Sequence, residues 1–432
     1  MKCKRRRAQW PAARRWLLLP AMMVTPLLPA QAQTFTQVLE TAAADHPRIV
    51  SARHLIRAGR ADVSAARASY RPQLGVDTDL GWSEGTSNSA SGVAILPEVK
   101  VSQLVYDGGR TPAEIRRRKL RVDLLGVQEQ QALADVAADL AQAWIDHGRA
   151  AELVAIGEQQ VEALTRLNDQ VTEIARYDRG RASDAVMVDS RLQQAVTTLQ
   201  TRQISLAEAR ARIREVSAQP VEPQGGVPDI AAFLPASAED AQAQVTASPA
   251  VRAADLEVAE NAEAERGTRK WWMPQLALEG ARTSERTALG DTNLLNAFAF
   301  RLRATALPFD SGGGRARHAS AQAALDSARS DALLARTSLG ERAQRLWLFQ
   351  AQRAERLPTL EDLVVRADQA RDIVYEQFRI GRRTILDVLA YDLERFNVRA
   401  QLANERFDIA QTRYQLMGML GRIYASVGEA VQ

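Results

Sequence analysis

The histidines and cysteine that could bind a transition metal are few and scattered. The four histidines, His46, His54, His147 and His318, stand nowhere near a metal-ligand spacing such as HExxH, so no metal site is expected from them. The only cysteine is Cys3. No GxxxxGK phosphate loop, GxSxG nucleophile elbow or dinucleotide fingerprint occurs, and no catalytic residue or cofactor is expected. SGGGR at 311–315 has the glycines of a phosphate cradle but lacks the downstream Lys-Ser/Thr, and reads as a strand-to-helix turn. Two stretches remain: RYDRGRASDAV at 176–186 and FRIGRRTILDVL at 378–389. Each interrupts a helical run with glycine (Gly180, Gly381), offers an N-cap candidate (Ser183, Thr384) and places a carboxylate (Asp184, Asp387) in the new first turn, where the helix dipole favours negative charge. As local structure these are helix-hairpin tips, and their function depends on what they touch.

Elements that could position them begin after a leader. Residues 1–15 hold seven Lys or Arg and no acid, WLLLPAMMVTPLLPA follows, and Ala30-Gln31-Ala32 offers a small-x-small cleavage site. The apolar run is too short and too rich in proline for a spanning helix. Residues 1–32 are therefore expected to be a secretory signal peptide. Of 56 basic residues, seven lie in that leader, leaving 49 against 52 acids and a mature charge of −3. That balance argues against nucleic acid as a partner. With Cys3 removed, the mature chain has no disulfide or thiolate chemistry.

The remainder is written twice. YRPQL at 70–74 returns as WMPQL at 272–276, His46-Pro47 as Ser248-Pro249, YDGGR at 106–110 as FDSGGGR at 309–315, and Gly180 as Gly381, with offsets of 201 to 203. A tandem duplication follows. The expected units are 33–217 and 238–425, joined by a linker at 218–237 containing QPVEPQGGVPD and followed by a tail at 426–432.

Within each unit an Ala-rich helix, 35–69 or 238–270, is expected to stop at Pro72 or Pro274. Beyond Pro72, Leu74, Val76, Thr78, Leu80 and Trp82 alternate with Gly75, Asp77, Asp79, Gly81 and Ser83, the period of a strand with one apolar face. Ile95, Pro97, Val99 and Val101 continue the pattern after the turn residues EGTSNSASG, as do Leu276, Leu278, Phe298, Phe300 and Leu302 in the second unit. Four strands of about ten residues, flanked by Trp82, Tyr106, Trp271, Trp272 and Phe309, suit a membrane barrel with a wet interior. Period two also fits a soluble half-buried sheet. Four strands cannot close a barrel, so several chains would have to pool them. Asp107-Gly108 and Asp310 with Gly312 then open long helical runs, the acids placed to cap them. The pattern at 112–177, 316–357 and 359–378 fits either a curved helical wall or a long coiled coil without a channel.

The duplicated helix-hairpin-helix plan, the xPQL boundary, the D-(S)GG(G)-R turn and FRIGRRTILDVL together resemble the TolC family of trimeric outer-membrane channels, over essentially the whole mature length. The resemblance implies a mainly α fold with a β-barrel portion: a homotrimer with a twelve-stranded outer-membrane barrel and a periplasmic α-barrel. It implies an exit duct for tripartite efflux or type I secretion, opened by a periplasmic adaptor and an inner-membrane transporter of ABC, RND or MFS type. The alternative is a periplasmic coiled-coil scaffold without a pore. By motif position, Asp387 would form a ring of three carboxylates, Arg383 and Phe378 would constrain the gate, and Gly180, Arg181, Ala182, Ser183, Gly381, Arg382 and Thr384 would meet the adaptor. Two departures matter: Ala390 stands where some members carry a second acid. The first tip is also two residues shorter between Gly and Asp, which leaves the gate position of Asp184 open.

Overall fold

The structure, a computed structural model, describes residues 31–83, 92–284, 286–287 and 296–430. Most of the expected leader and the turn segment at 84–91 lie outside them, as do the side chains of Leu80, Trp82, Ile95 and Pro97. A short strand β1 (Gln31–Gln33) precedes α1 (Phe35–Asp45) and α2 (Pro47–Ala68). The expected helix 35–69 is thus broken once, because Pro47 cannot donate a backbone hydrogen bond and pushes His46 to extended geometry. The same break recurs at Ser248-Pro249, between α5 (Ala238–Gln244) and α6 (Pro249–Arg269).

Strands β2 (Gln73–Ser83), β3 (Gly92–Tyr106), β5 (Gln275–Ser284) and β7 (Asn296–Thr305) form one antiparallel sheet in that order. The two-residue β6 (Arg286–Thr287) also pairs with β3. Register aligns Leu74 with Val101 and Val76 with Val99, and Phe300 faces Gly280. Their side chains form an exposed apolar face continued by Leu278, Phe298 and Leu302. The opposite face carries Asp77, Glu98, Lys100, Glu279, Arg301 and Arg303. A sheet whose large apolar residues point outward while its ion pairs lie on the other face has the polarity of a lipid-facing barrel wall.

The helix-strand boundaries are packed turns. Gly108, Gly109 and Gly312 have φ of 75°, 90° and 89°, a region that L side chains rarely adopt. Asp107 accepts from the N–H groups of Gly109 at 3.1 Å and Thr111 at 2.6 Å, capping α3 (Arg110–Tyr177) as expected. Asp310 departs from its expected role: its carboxylate takes Arg317 at 2.9 Å instead of a backbone N–H. The second turn contains the additional Ser311, at φ 56°, which changes the approach to α7 (Gly313–Arg379).

At about 1.5 Å per residue, α3 and α7 each extend roughly 100 Å, and α7 runs through Pro358 without stopping. In a helix this long, packing along the flanks outweighs the one backbone bond that Pro358 removes. Each long helix returns through a partner, α4 (Ala182–Ser217) or α8 (Ile385–Met419). α3 also packs against α2, α6 and α8.

The segment read as a linker is a strap. Its strand β4 (Val221–Pro223) pairs in parallel with β1, and Val221 and Ile230 enter the main core with Phe35, Trp144 and Tyr414. The Trp144 indole N–H donates to the Gly225 carbonyl at 3.0 Å, Trp347 to Pro235 at 2.8 Å, and the Tyr414 hydroxyl to Pro228 at 2.9 Å. Helix α9 (Ile423–Ala430) adds Ile423 and Val427 to this core, so folded structure continues past the boundary expected at 425. Trp144→Phe should leave the Gly225 carbonyl without its donor, at a cost of about 1–3 kcal/mol. A lowered thermal midpoint, larger than that of Trp347→Phe at the less buried site, is the expected measurement.

Candidate functional site

Both hairpin tips are closed by backbone chemistry that their residues dictate. α3 ends at Tyr177, where the extended Asp178 turns its side chain onto the Gly180 N–H at 2.9 Å. A single 3-10 turn, Arg179–Arg181, leads into α4. Ser183 is not the N-cap: α4 already begins at Ala182, because the shorter first tip has no room for an extended residue after Arg181. Asp184 does occupy the first turn of α4. α7 closes through Gly381, at φ 76°, whose N–H donates to the Phe378 carbonyl at 2.9 Å while that of Arg382 donates to Gln377 at 2.8 Å.

Thr384 then caps α8 as the sequence predicts. Its N–H and hydroxyl donate to the Asp387 carboxylate at 3.0 and 2.9 Å, and the Asp387 N–H returns a bond to the Thr384 hydroxyl at 3.3 Å. The Thr384 backbone N–H, then its hydroxyl, and beside them the Arg383 charge hold the Asp387 carboxyl below the usual carboxylate range.

The two tips meet over a shared apolar floor. Leu164, Leu167 and Val171 of α3 pack with Val188 of α4, Val374 and Phe378 of α7, and Ile385, Val388 and Leu389 of α8. Phe378 is buried, and the Arg181 guanidinium lies 5.6 Å above its ring. One open cleft is lined by Arg181, Asp184, Phe378, Gly381, Arg382, Arg383, Thr384 and Asp387, joining residues some 200 positions apart. Gly180, Ala182 and Ser183 are exposed beside it and are not among the lining residues. Arg383 donates to Gln377 at 3.1 Å, and among the described residues it makes no ion pair with Asp184. The cleft presents fixed charges of both signs.

Behind the tips lies a network that the sequence reading did not single out. Arg371 of α7 meets Asp392 of α8 at 2.8 Å, with the Asp392 side chain 3% exposed. The Arg371 guanidinium also stacks 4.7 Å over Tyr375, whose hydroxyl reaches Gln170 of α3 at 2.5 Å. One step farther, Asp368 takes Arg395 at 3.1 Å and Arg399 at 2.8 Å. The available signal was mirror spacing: Arg371 and Asp392 stand ten residues before and eleven after Gly381. Among the described residues, no group of acids, histidines or cysteines is arranged to hold a metal ion.

This architecture recurs in known proteins. The family model described as "Outer membrane efflux protein" matches residues 38–219 and again 241–422. The outer membrane efflux protein BepC of Brucella suis biovar 1 is 25% identical over 419 residues, covering 92% of this chain and 87% of its own. The crystal structure of CusC superposes with a TM-score of 0.80 at 13% identity, covering 89% of this chain and 91% of that one. The outer membrane protein VceC of Vibrio cholerae superposes at 0.78 with 14% identity, covering 90% and 96%. Two matched repeats, two hairpins completing one sheet and two long helical returns leave a single assignment: the chain belongs to the outer membrane efflux protein family.

Proposed function

We propose that three copies of this chain assemble about one axis, pooling their strands into a twelve-stranded outer-membrane barrel and their helices into a periplasmic tunnel. The observation that carries this reading is the four-strand path of the sheet, with an exposed apolar face and with β2 and β7 unpaired at its edges. Lipid does not tolerate open strand edges, and several copies can remove them by closing a ring. A poreless scaffold gives no reason for the apolar face.

In this assembly the paired tips form the periplasmic entrance. Three Asp387 carboxylates face the axis, Arg383 and Phe378 hold the second tip in place, and Asp184 lines the same cleft from the first. Gly180–Ser183 and Gly381–Thr384 present the outer surface to a periplasmic adaptor, which couples the duct to an inner-membrane transporter. Transport through the duct is passive, with the energy supplied by that transporter. Native mass measurement in detergent should give a trimer, and planar bilayers should give ion conductance. A monomeric or non-conducting protein would overturn the proposal.

A further inference from the structure

The two open edges of the sheet carry opposite charge. On the polar face, the β2 edge holds Asp77 and the β7 edge holds Arg301 and Arg303. Asp77 is exposed, and the residue directly across the ladder is another acid, Glu98. Like charges in that position repel. Among the described residues, Asp77 has no ion-pair partner. At the far edge the reverse holds, since the single carboxylate of Glu279 receives Arg301 at 2.7 Å and Arg303 at 3.0 Å. Lys100 stands diagonally from Asp77 on the adjacent strand without pairing with it, whereas the far edge gathers two guanidiniums on one carboxylate.

Register decides whether the edges can meet. The row of paired residues that begins at Gln73, where β2 starts, passes Ser102 and Glu279 and reaches Arg301, four residues short of Thr305, where β7 ends. Gln73 and Thr305 both adjoin the helical side of the sheet. Bringing β7 of one copy antiparallel to β2 of the next with these ends level therefore places Arg301 opposite Asp77. A further stagger of about two residues, as strand tilt in barrels demands, places Arg303 opposite Asp77. Odd steps are excluded because they would turn polar side chains to the lipid face. Either allowed register sets an acid of β2 against a guanidinium of β7.

We propose that the seam between neighbouring copies is ionic, with Asp77 of one chain seated on the lumen side against the Arg301–Arg303 pair of the next. The partner recognised by this surface is a second copy of this chain, joined head to tail, and the inference rests on the trimeric barrel proposed above. The pairing would set the order of strands and limit register slip at the one place where no turn fixes it.

Cysteine pairs test the contact directly, because Cys3 in the expected leader is the only native cysteine. Asp77→Cys combined with Arg301→Cys or with Arg303→Cys should give disulfide-linked dimers and trimers on a non-reducing gel in at least one combination. Val76→Cys with Arg303→Cys, on opposite faces, should give none. Asp77→Arg alone should deplete the SDS-resistant trimer, and combining it with either Arg301→Asp or Arg303→Asp, so that one arginine stays on Glu279, should restore it in at least one case. If the unmodified protein is trimeric by native mass and neither cysteine pair cross-links, the ionic seam is wrong while the assembly stands. If the unmodified protein is not trimeric, the assembly proposal fails and the seam with it.

Discussion

Asp387→Asn should weaken block of the channel by a trivalent cation, added from the periplasmic side, by roughly tenfold or more. The attraction scales with the product of the charges, so three carboxylates acting on one trivalent ion lose far more than a single surface charge would. Salt screens such a site over about 8–10 Å, and the comparison is best made at low ionic strength. Asn is the appropriate substitution because its side-chain oxygen can still accept from the Thr384 N–H and hydroxyl, keeping the start of α8 capped. Thr384→Ala is the companion variant: it removes the hydroxyl from the capping box and leaves the charge. Unchanged block by Asp387→Asn would remove this residue from the gate.

The pH dependence follows from the same geometry. The hydrogen bonds from Thr384 and the neighbouring Arg383 depress the Asp387 pKa in the folded chain, so its charge persists below the ordinary carboxylate range. The linked stabilisation is present above the unfolded value, near 3.9, and is lost as pH falls through the lower folded value. These bonds favour the charged form at pH 5 as at pH 7 within one chain, so a block that weakens between pH 7 and pH 5 would measure the opposing repulsion among the three carboxylates of the ring.

Asp392→Ala should destabilise the protein by about 1–3 kcal/mol, because it takes the buried carboxylate from Arg371, which keeps only the exposed Asp372 at 3.3 Å. Removing both charges with Arg371→Met and Asp392→Leu should cost much less, since apolar replacement of a buried pair is often near neutral. Thermal midpoints of the three proteins in detergent make the comparison, and equal losses for the single and double variants would count against the ion pair. The double variant also separates stability from gating. If Arg371, Tyr375 and Gln170 restrain the second hairpin against α3, it should fold well yet show raised resting conductance.

Much of the fold was legible because its signals are local. Prolines 72 and 274 end helices, period-two alternation marks strands, and the Asp-Gly turns restart helices, each through backbone geometry within a few residues. Thr384 and Asp387 were legible for the same reason, since a capping box spans four residues. Ser183 and Asp310 were misread because one residue fewer or more in a turn changes which group meets the helix end, and composition does not record that change. The strap at 218–237 looked like a connector because its prolines and glycines are turn residues. Its order comes from carbonyls accepting bonds from Trp144, Trp347 and Tyr414 on distant helices.

By itself, the sequence determined the duplication, the order of helices and strands, the polarity of the sheet faces and the positions of the two tips. All of these depend on spacing along one chain. Tertiary structure alone decided that the tips share one cleft, that Phe378 lies beneath Arg181, that Arg371 is neutralised by Asp392, and that β2 and β7 are the sheet's open edges. Those facts depend on which helix faces meet and on the register between strands far apart in sequence. Helical periodicity leaves the meeting faces undetermined, because an Ala-rich surface can pack in several rotations, and only the packed molecule selects one.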